Sequence, residues 1–181
     1  MRRPVPDGTA RARARRRKAP RALPRDILRR AATIIAAIAL TTDCNDIDWT
    51  RLAAIMRDAP LFDRPAALWE AAFRASFTTV FAWDGPLLVG AARATSDGVF
   101  YATIFDVAVA PDRQGEGIGR VLVEHLLADL PVERVFLTHT AGKAGFYAKL
   151  GFLRQTNAMG HYGGEALDIA VSRGVLAPVP D

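Results

Sequence analysis

An apolar stretch, Val107-Ala108-Val109-Ala110-Pro111, runs straight into Asp112-Arg113-Gln114-Gly115-Glu116-Gly117-Ile118-Gly119-Arg120. A strand that ends at a proline and turns through three glycines into a helix leaves a row of backbone N–H groups unbonded at the helix start. Such a row, aided by the helix dipole, takes an anion. Glycines at 115, 117 and 119 let the backbone come close to that anion, so the segment predicts a site for a phosphorylated ligand. Two common phosphate loops do not fit it. No Gly-Lys-Ser/Thr follows Gly119, as a Walker loop needs, and Arg120 stands where the dinucleotide pattern G-x-G-x-x-G, begun at Gly115, needs its third glycine.

The elements that must position this loop follow from hydrophobic periodicity. Ile34 to Thr42 reads as a first strand. Asp48 caps a helix that starts at Trp49, carries Leu52, Ile55 and Met56 on one face and ends at Pro60. A second helix runs from Pro65 to Ala75, with Leu68, Ala71, Ala72 and Ala75 as its apolar face. Trp49, Leu61, Phe62, Trp69 and Phe73 read as core or lid residues. Strands follow at Ser76–Trp83, Leu87–Thr95 and Phe100–Val109, with Asp-Gly turns at 84–85 and 97–98. A helix over 117–129 comes next, then a buried strand at Val132–Thr138, a short helix at Gly142–Leu150, and last strands at Phe152–Thr156 and Ala166–Val171. The expected fold class is α/β, a mixed and mostly antiparallel central sheet flanked by helices.

A second segment, Gly145-Phe146-Tyr147-Ala148-Lys149-Leu150-Gly151-Phe152, lies 28 residues on, counted from Gly119 to Tyr147. The Gln114-x-x-Gly117-x-Gly119 loop behind Val-Ala-Val-x-Pro, followed in order by this Phe-Tyr-x-x-x-Gly-Phe block, resembles the GNAT superfamily of acetyl-CoA-dependent N-acetyltransferases. The likeness covers roughly Ile34 to Val171. It implies the acetyltransferase fold and acetyl-CoA as co-substrate. It implies that Val107, Ala108 and Val109 bond the pantetheine arm through their backbone, in a gap where the central strand and the Val132–Thr138 strand part. Gln114, Gly115, Glu116, Gly117, Ile118, Gly119 and Arg120 match the pyrophosphate loop. Tyr147 matches a tyrosine whose phenol points at the CoA sulfur and can protonate the leaving thiolate, while a packing role beside Phe146 and Phe152 is its plain alternative.

The superfamily often places a base on the central strand, at positions matched here by Thr103 and Phe105, and neither is basic. Asp106 is the one charge of that strand, and is either a base or a hydrogen-bonded structural carboxylate. His139, just past the next strand, can deprotonate an ammonium near neutral pH, or is a surface loop histidine. His161 beside Tyr162, placed in a final hairpin, is a third candidate, and His125 on the helix behind the loop is read as inert. Asp97 and Glu165 are weaker candidates for pairing with an acceptor ammonium. Cys44 and the three histidines have no metal-ligand spacing, and no serine elbow or kinase lysine set occurs.

Charge divides the chain. Residues 1–30 hold 12 Arg/Lys against two Asp, a net +10, and residues 31–181 hold 12 against 17, a net −5. The expected organisation is a basic arm over 1–30, disordered by self-repulsion, and a single acetyltransferase domain over 31–181. The arm suits nucleic acid or a membrane surface electrostatically, but a solubilising tail or an overlong start is the plainer reading, and nucleic acid through residues 2–30 is not the expected partner. No aromatic residue interleaves its arginines for base stacking. One cysteine excludes an internal disulfide and fits a reducing compartment, and Ile34 to Leu40 is too short to span a bilayer. A cytoplasmic protein, monomer or homodimer, with no membrane partner and no metal is expected. The expected activity is direct acetyl transfer from acetyl-CoA to a primary amine of a small molecule. The alternatives are a protein or peptide N-acetyltransferase and a non-catalytic CoA-binding regulator tethered by its arm.

Overall fold

The structure, a computed structural model, describes residues 37–59 and 61–177. Strand β1 (Ile38–Thr41) leads to helix α1 (Trp49–Asp58), whose start is fixed by the Asp48 carboxylate accepting the Arg51 N–H at 2.9 Å. That cap, and the burial of Leu52, Ile55 and Met56, match the periodicity. Helix α2 (Ala66–Arg74) forms where expected but is rotated: Trp69 and Phe73 are buried, while Leu68, Ala71 and Ala75 are exposed. Two aromatics remove far more apolar area from water than three alanines and one leucine, so they set the phase.

Strands β2 (Thr78–Asp84), β3 (Leu87–Ser96), β4 (Tyr101–Val109) and β5 (Arg134–Leu137) complete a five-stranded sheet in the order β1-β2-β3-β4-β5. All neighbours are antiparallel except β4 and β5, which are parallel and joined through helix α3 (Ile118–Asp129). Helix α3 packs Ile118, Leu122, Val123 and Leu126 on one face of the sheet against Val80, Ala82, Ala92, Ala94, Ala102 and Ile104. Helices α1 and α2 cover the other face through Leu52, Ile55, Met56, Trp69 and Phe73, against Phe81, Leu88, Ala91 and Ala108. Gly90 allows the close approach: a Cβ there would lie 2.9 Å from the Ala108 carbonyl oxygen and 3.3 Å from Leu122.

Two expectations fail at the C-terminal end. Strand β5 is short and half-exposed instead of buried, because among the described residues no strand covers its outer edge. The last two strands do not form. After helix α4 (Ala144–Ala148), residues 152–164 hold no regular element, and 165–172 make helix α5 (Glu165–Ser172). Gly160, Gly163 and Gly164 break any alternation before it, and Glu165 and Asp168 in the first turn of α5 suit the positive end of a helix dipole. No hairpin therefore carries His161 and Tyr162. The basic arm lies outside the described residues. Among those residues no helix is long and apolar enough to cross a membrane.

Candidate active site

Strand β4 is regular until Asp106. Ala91 pairs with Ala108 and Arg93 with Phe105, so Ala92 faces two residues, Asp106 and Val107. This is a bulge, and Asp106 sits in it with φ at +54°. Its consequence is a change of parity. Before it Ala102 and Ile104 point to the α3 side, and after it Val107 and Val109 do. The Asp106 carboxylate is held by Arg93, Nε to Oδ2 at 2.5 Å, with both side chains largely buried. The Arg93 guanidinium also lies over the Phe105 ring at 5.0 Å and reaches the Ser76 hydroxyl at 3.4 Å.

Beyond the bulge β4 loses its outer partner, since β5 pairs only with Tyr101–Ile104. Backbone groups alternate sides along a strand. The Ala110 N–H donates to the Val89 carbonyl at 2.8 Å and the Ala108 oxygen lies against Gly90, so Ala108 and Ala110 face β3. Val107 and Val109 therefore turn their N–H and C=O into the gap beside β4. Of the three residues expected to offer backbone groups, Ala108 is already used by the β3 ladder. The Gln114 side-chain amide donates to the Val109 carbonyl at 3.0 Å, tying the loop back to this edge.

The loop begins as a single 3-10 turn over Pro111–Arg113. Gly115 and Gly117 have φ of +85° and +93°, a left-handed backbone that side chains disfavour, and Gly117 is the N-cap of α3. The carbonyl of Gly117 accepts from Arg120 and Val121, closing the first turn. Among the bonds made outside the regular elements, none is donated by the N–H groups of residues 115–119. Such a row at a helix start can take an anion. Arg120, exposed, pairs with Glu124 at 2.7 Å. A Cβ on Gly119 would touch both Val109 and Phe146 at 3.6 Å, so the helix start packs directly against α4.

Helix α4 carries Tyr147, set edge-on to Phe146 at 4.9 Å and to Phe152 at 5.9 Å between ring centroids. Its carbonyl accepts from both Leu150 and Phe152, with Gly151 at φ +89° making the turn between them. Burial raises the Tyr147 phenol above its ordinary pKa of 10.0, so it is protonated, and a donor, at neutral pH. The imidazole of His139 stacks on the Tyr147 ring, centroids 6.1 Å apart and planes 25° apart. His139 Nδ1 lies 2.9 Å from the Thr140 carbonyl, which can only accept, so the proton sits on Nδ1 and leaves Nε2 as a free acceptor.

Tyr147 and His139 are thus brought together on the side of β4 that carries the loop. Asp106 is engaged with Arg93 within the sheet. His161 is exposed in an irregular stretch, and His125 is half-buried on α3. Asp97 is used by its own turn, its carboxylate accepting N–H bonds from Val99, Phe100 and Tyr101, which holds its pKa below the usual carboxylate value. Arg113 was not legible as a site residue, although it stands inside the loop: its guanidinium pairs with Glu116 at 2.8 Å and with Asp84 at 2.5 Å.

Residues 42–152 match the profile described as acetyltransferase (GNAT) family. Among curated relatives, the rice protein serotonin N-acetyltransferase 2, chloroplastic, is 43% identical over 74 residues, covering 39% of this chain and 37% of the relative. The soybean protein histone acetyltransferase TAP1 is 35% identical over 118 residues, covering 60% and 48%. The chain spans less than half the length of either. Among solved structures, a GNAT family acetyltransferase of Streptococcus pneumoniae aligns over 71% of this chain and 99% of its own, with a TM-score of 0.60 at 24% identity. The ribosomal-protein-S18-alanine N-acetyltransferase of Escherichia coli aligns over 66% and 79%, with a TM-score of 0.57 at 24% identity. These two likenesses are of fold.

Proposed function

Since the chain belongs to the acetyltransferase (GNAT) family, we propose that it transfers acetyl from acetyl-CoA directly to a primary amine of a small molecule. The observation that carries the reading is the stacked His139–Tyr147 pair beside an unpartnered strand edge and an anion loop. Those three features answer to the three parts of one donor: a pyrophosphate, an amide-bearing arm and a thioester. The loop N–H row binds the pyrophosphate, and the outward backbone groups of Val107 and Val109 pair with the arm as a strand would. The phenol of Tyr147, a donor at neutral pH, suits a departing thiolate.

The chemistry needs one group to accept a proton and one to give it. His139, with Nε2 free, takes a proton from the acceptor ammonium. The amine nitrogen then forms its bond to the acetyl carbon and the carbon–sulfur bond breaks. Tyr147 donates its proton to the departing thiolate and is reprotonated by the proton the new amide nitrogen sheds. Asp106 keeps the bulge instead of serving as base, because its carboxylate is already bonded to a guanidinium.

The small-amine acceptor rests on the rice relative's name and on the net charge of −5 over residues 31–181, which draws a cation. The soybean relative, matched over more of the chain, favours a second reading, a protein acceptor. A thiol-release assay with acetyl-CoA decides between them. Arylalkylamines, polyamines and amino sugars are run against histone-tail and ribosomal-protein N-terminal peptides. Turnover on a small amine, equal with and without residues 1–27, supports the first reading. Turnover on peptides alone overturns it.

A further inference from the structure

Glu116 is an odd residue to find between Gly115 and Gly117. It places a carboxylate on a loop whose unbonded N–H groups suit an anion. A negative charge there opposes a pyrophosphate unless something cancels it. The cancelling group is Arg113, at the other end of the same turn. Its Nε donates to Glu116 Oε2 at 2.8 Å, and its terminal nitrogen donates to Asp84 Oδ2 at 2.5 Å. The Arg113 side chain is only 17% exposed, so this fork is partly shielded from water. Asp84 closes β2 at its turn into β3. The clip therefore joins three things: the loop, a neutralising charge and the β2–β3 turn.

We propose that Arg113 is a positioning residue for the phosphate-bearing donor: it cancels the charge of Glu116 and pins the Gly115–Gly117 loop to the β2–β3 turn. The proposal rests on the acetyl-CoA reading of the loop. Both carboxylates, Glu116 foremost, hold the guanidinium more firmly protonated than a free arginine, as a charge clip requires. Charge-assisted bonds from a planar fork to two carboxylates fix position as well as charge, which a lysine cannot match. Arg113 itself donates to protein on two sides, so its effect on the ligand passes through Glu116 and the loop backbone.

The test uses the full chain and two donors, acetyl-CoA and S-acetylpantetheine, which keeps the thioester and lacks every phosphate. Arg113→Gln is expected to raise KM for acetyl-CoA about tenfold with kcat retained, because it uncovers one charge beside the pyrophosphate. Its kcat/KM on S-acetylpantetheine should equal that of the parent protein. Glu116→Gln alone keeps the Arg113 charge beside the loop and a neutral acceptor for its Nε, so its KM should rise less than that of Arg113→Gln, and Arg113→Gln with Glu116→Gln should recover the part of the loss due to charge and not the part due to the lost pin. Arg113→Lys keeps the charge and loses the fork, so an intermediate KM is expected. An unchanged KM in Arg113→Gln overturns the proposal. So does an equal loss on both donors, or no recovery in the double variant. If Arg113→Gln fails to fold, Arg113→Lys and Glu116→Gln carry the same comparison. Calorimetry of acetyl-CoA with the parent separates the two levels. Binding without turnover on any amine or peptide sinks the transferase reading and leaves the clip to be judged from affinities. No binding sinks both.

Discussion

Replacing Asp106 separates a structural carboxylate from a base. In Asp106→Ala the Arg93 guanidinium, 17% exposed, loses its charged partner and keeps only the Ser76 hydroxyl at 3.4 Å and the Phe105 face. Breaking a fully buried pair from one side costs about 3–5 kcal/mol; the residual exposure here reduces that to about 2 kcal/mol. Alanine at φ +54° adds about 1 kcal/mol, since aspartate tolerates the left-handed region better. The total is about 3 kcal/mol. Asp106→Asn keeps the backbone tolerance and one acceptor oxygen, so it loses about 1 kcal/mol. Asp106→Gly relieves φ but still strands Arg93, and falls between them. Urea unfolding of the full chain, with heat melts beside it, reads this order; for a domain of this size about 3 kcal/mol lowers Tm by roughly 10 °C. Arg93→Met in a double-mutant cycle with Asp106→Ala should give a coupling energy of about 2 kcal/mol. The variants should keep the shape of the pH–rate profile. Asp106→Asn with unchanged stability, a kcat lowered by roughly 10² or more and a vanished acidic limb refutes this reasoning and makes Asp106 the base.

Tyr147→Phe should lower kcat roughly 10²–10⁴-fold and leave acetyl-CoA affinity within about twofold, measured by stopped turnover and calorimetry. The same variant has a stability signature. The folded phenol has the raised pKa, so its contribution is full below the unfolded value of 10.0 and is lost as pH rises through the folded one. Unfolding measured between about pH 9 and 11.5 should therefore show the parent losing more stability than Tyr147→Phe. His139→Ala should lower the neutral rate about 10²-fold, with rates rising again as the amine loses its proton in alkaline buffer. Gly117→Asp should abolish acetyl-CoA binding in calorimetry, because it adds a carboxylate and a Cβ at φ +93° where the anion must sit.

Much of this arrangement is legible in the chain because short-range rules dominate it. The loop is written in three glycines behind a proline, and the caps and turns in Asp48, Asp84-Gly85 and Asp97-Gly98. What was not legible depends on partners distant in sequence. The phase of α2 was decided by Trp69 and Phe73 finding the Leu52–Phe81 side of the core, which alanine spacing does not reveal. Asp106 and Arg93 are 13 residues apart, and only the hairpin makes one the other's counter-ion. Arg113 meets Asp84 across 29 residues, so nothing near it marks it as part of a clip. The segment 165–172 alternates poorly and carries two acids, and without a strand to lie beside it makes a helix.

The contact of Gly119 with both Val109 and Phe146 makes a ruler of the site. One layer of atoms separates the strand edge, the helix that receives the anion and the short helix that carries the phenol. The span from the loop to Tyr147 is therefore fixed by packing. A methyl group at residue 119 would meet both neighbours at ordinary contact distance, whereas a larger side chain would have to press on Phe146, whose ring meets Tyr147 edge-on at 4.9 Å, and so lengthen that span. The reacting bond would then fall short of its proton donor while the far end of the donor molecule stayed anchored. Gly119 thus sets the gauge between the loop and Tyr147 by packing, in addition to the N–H it contributes to the proposed donor site.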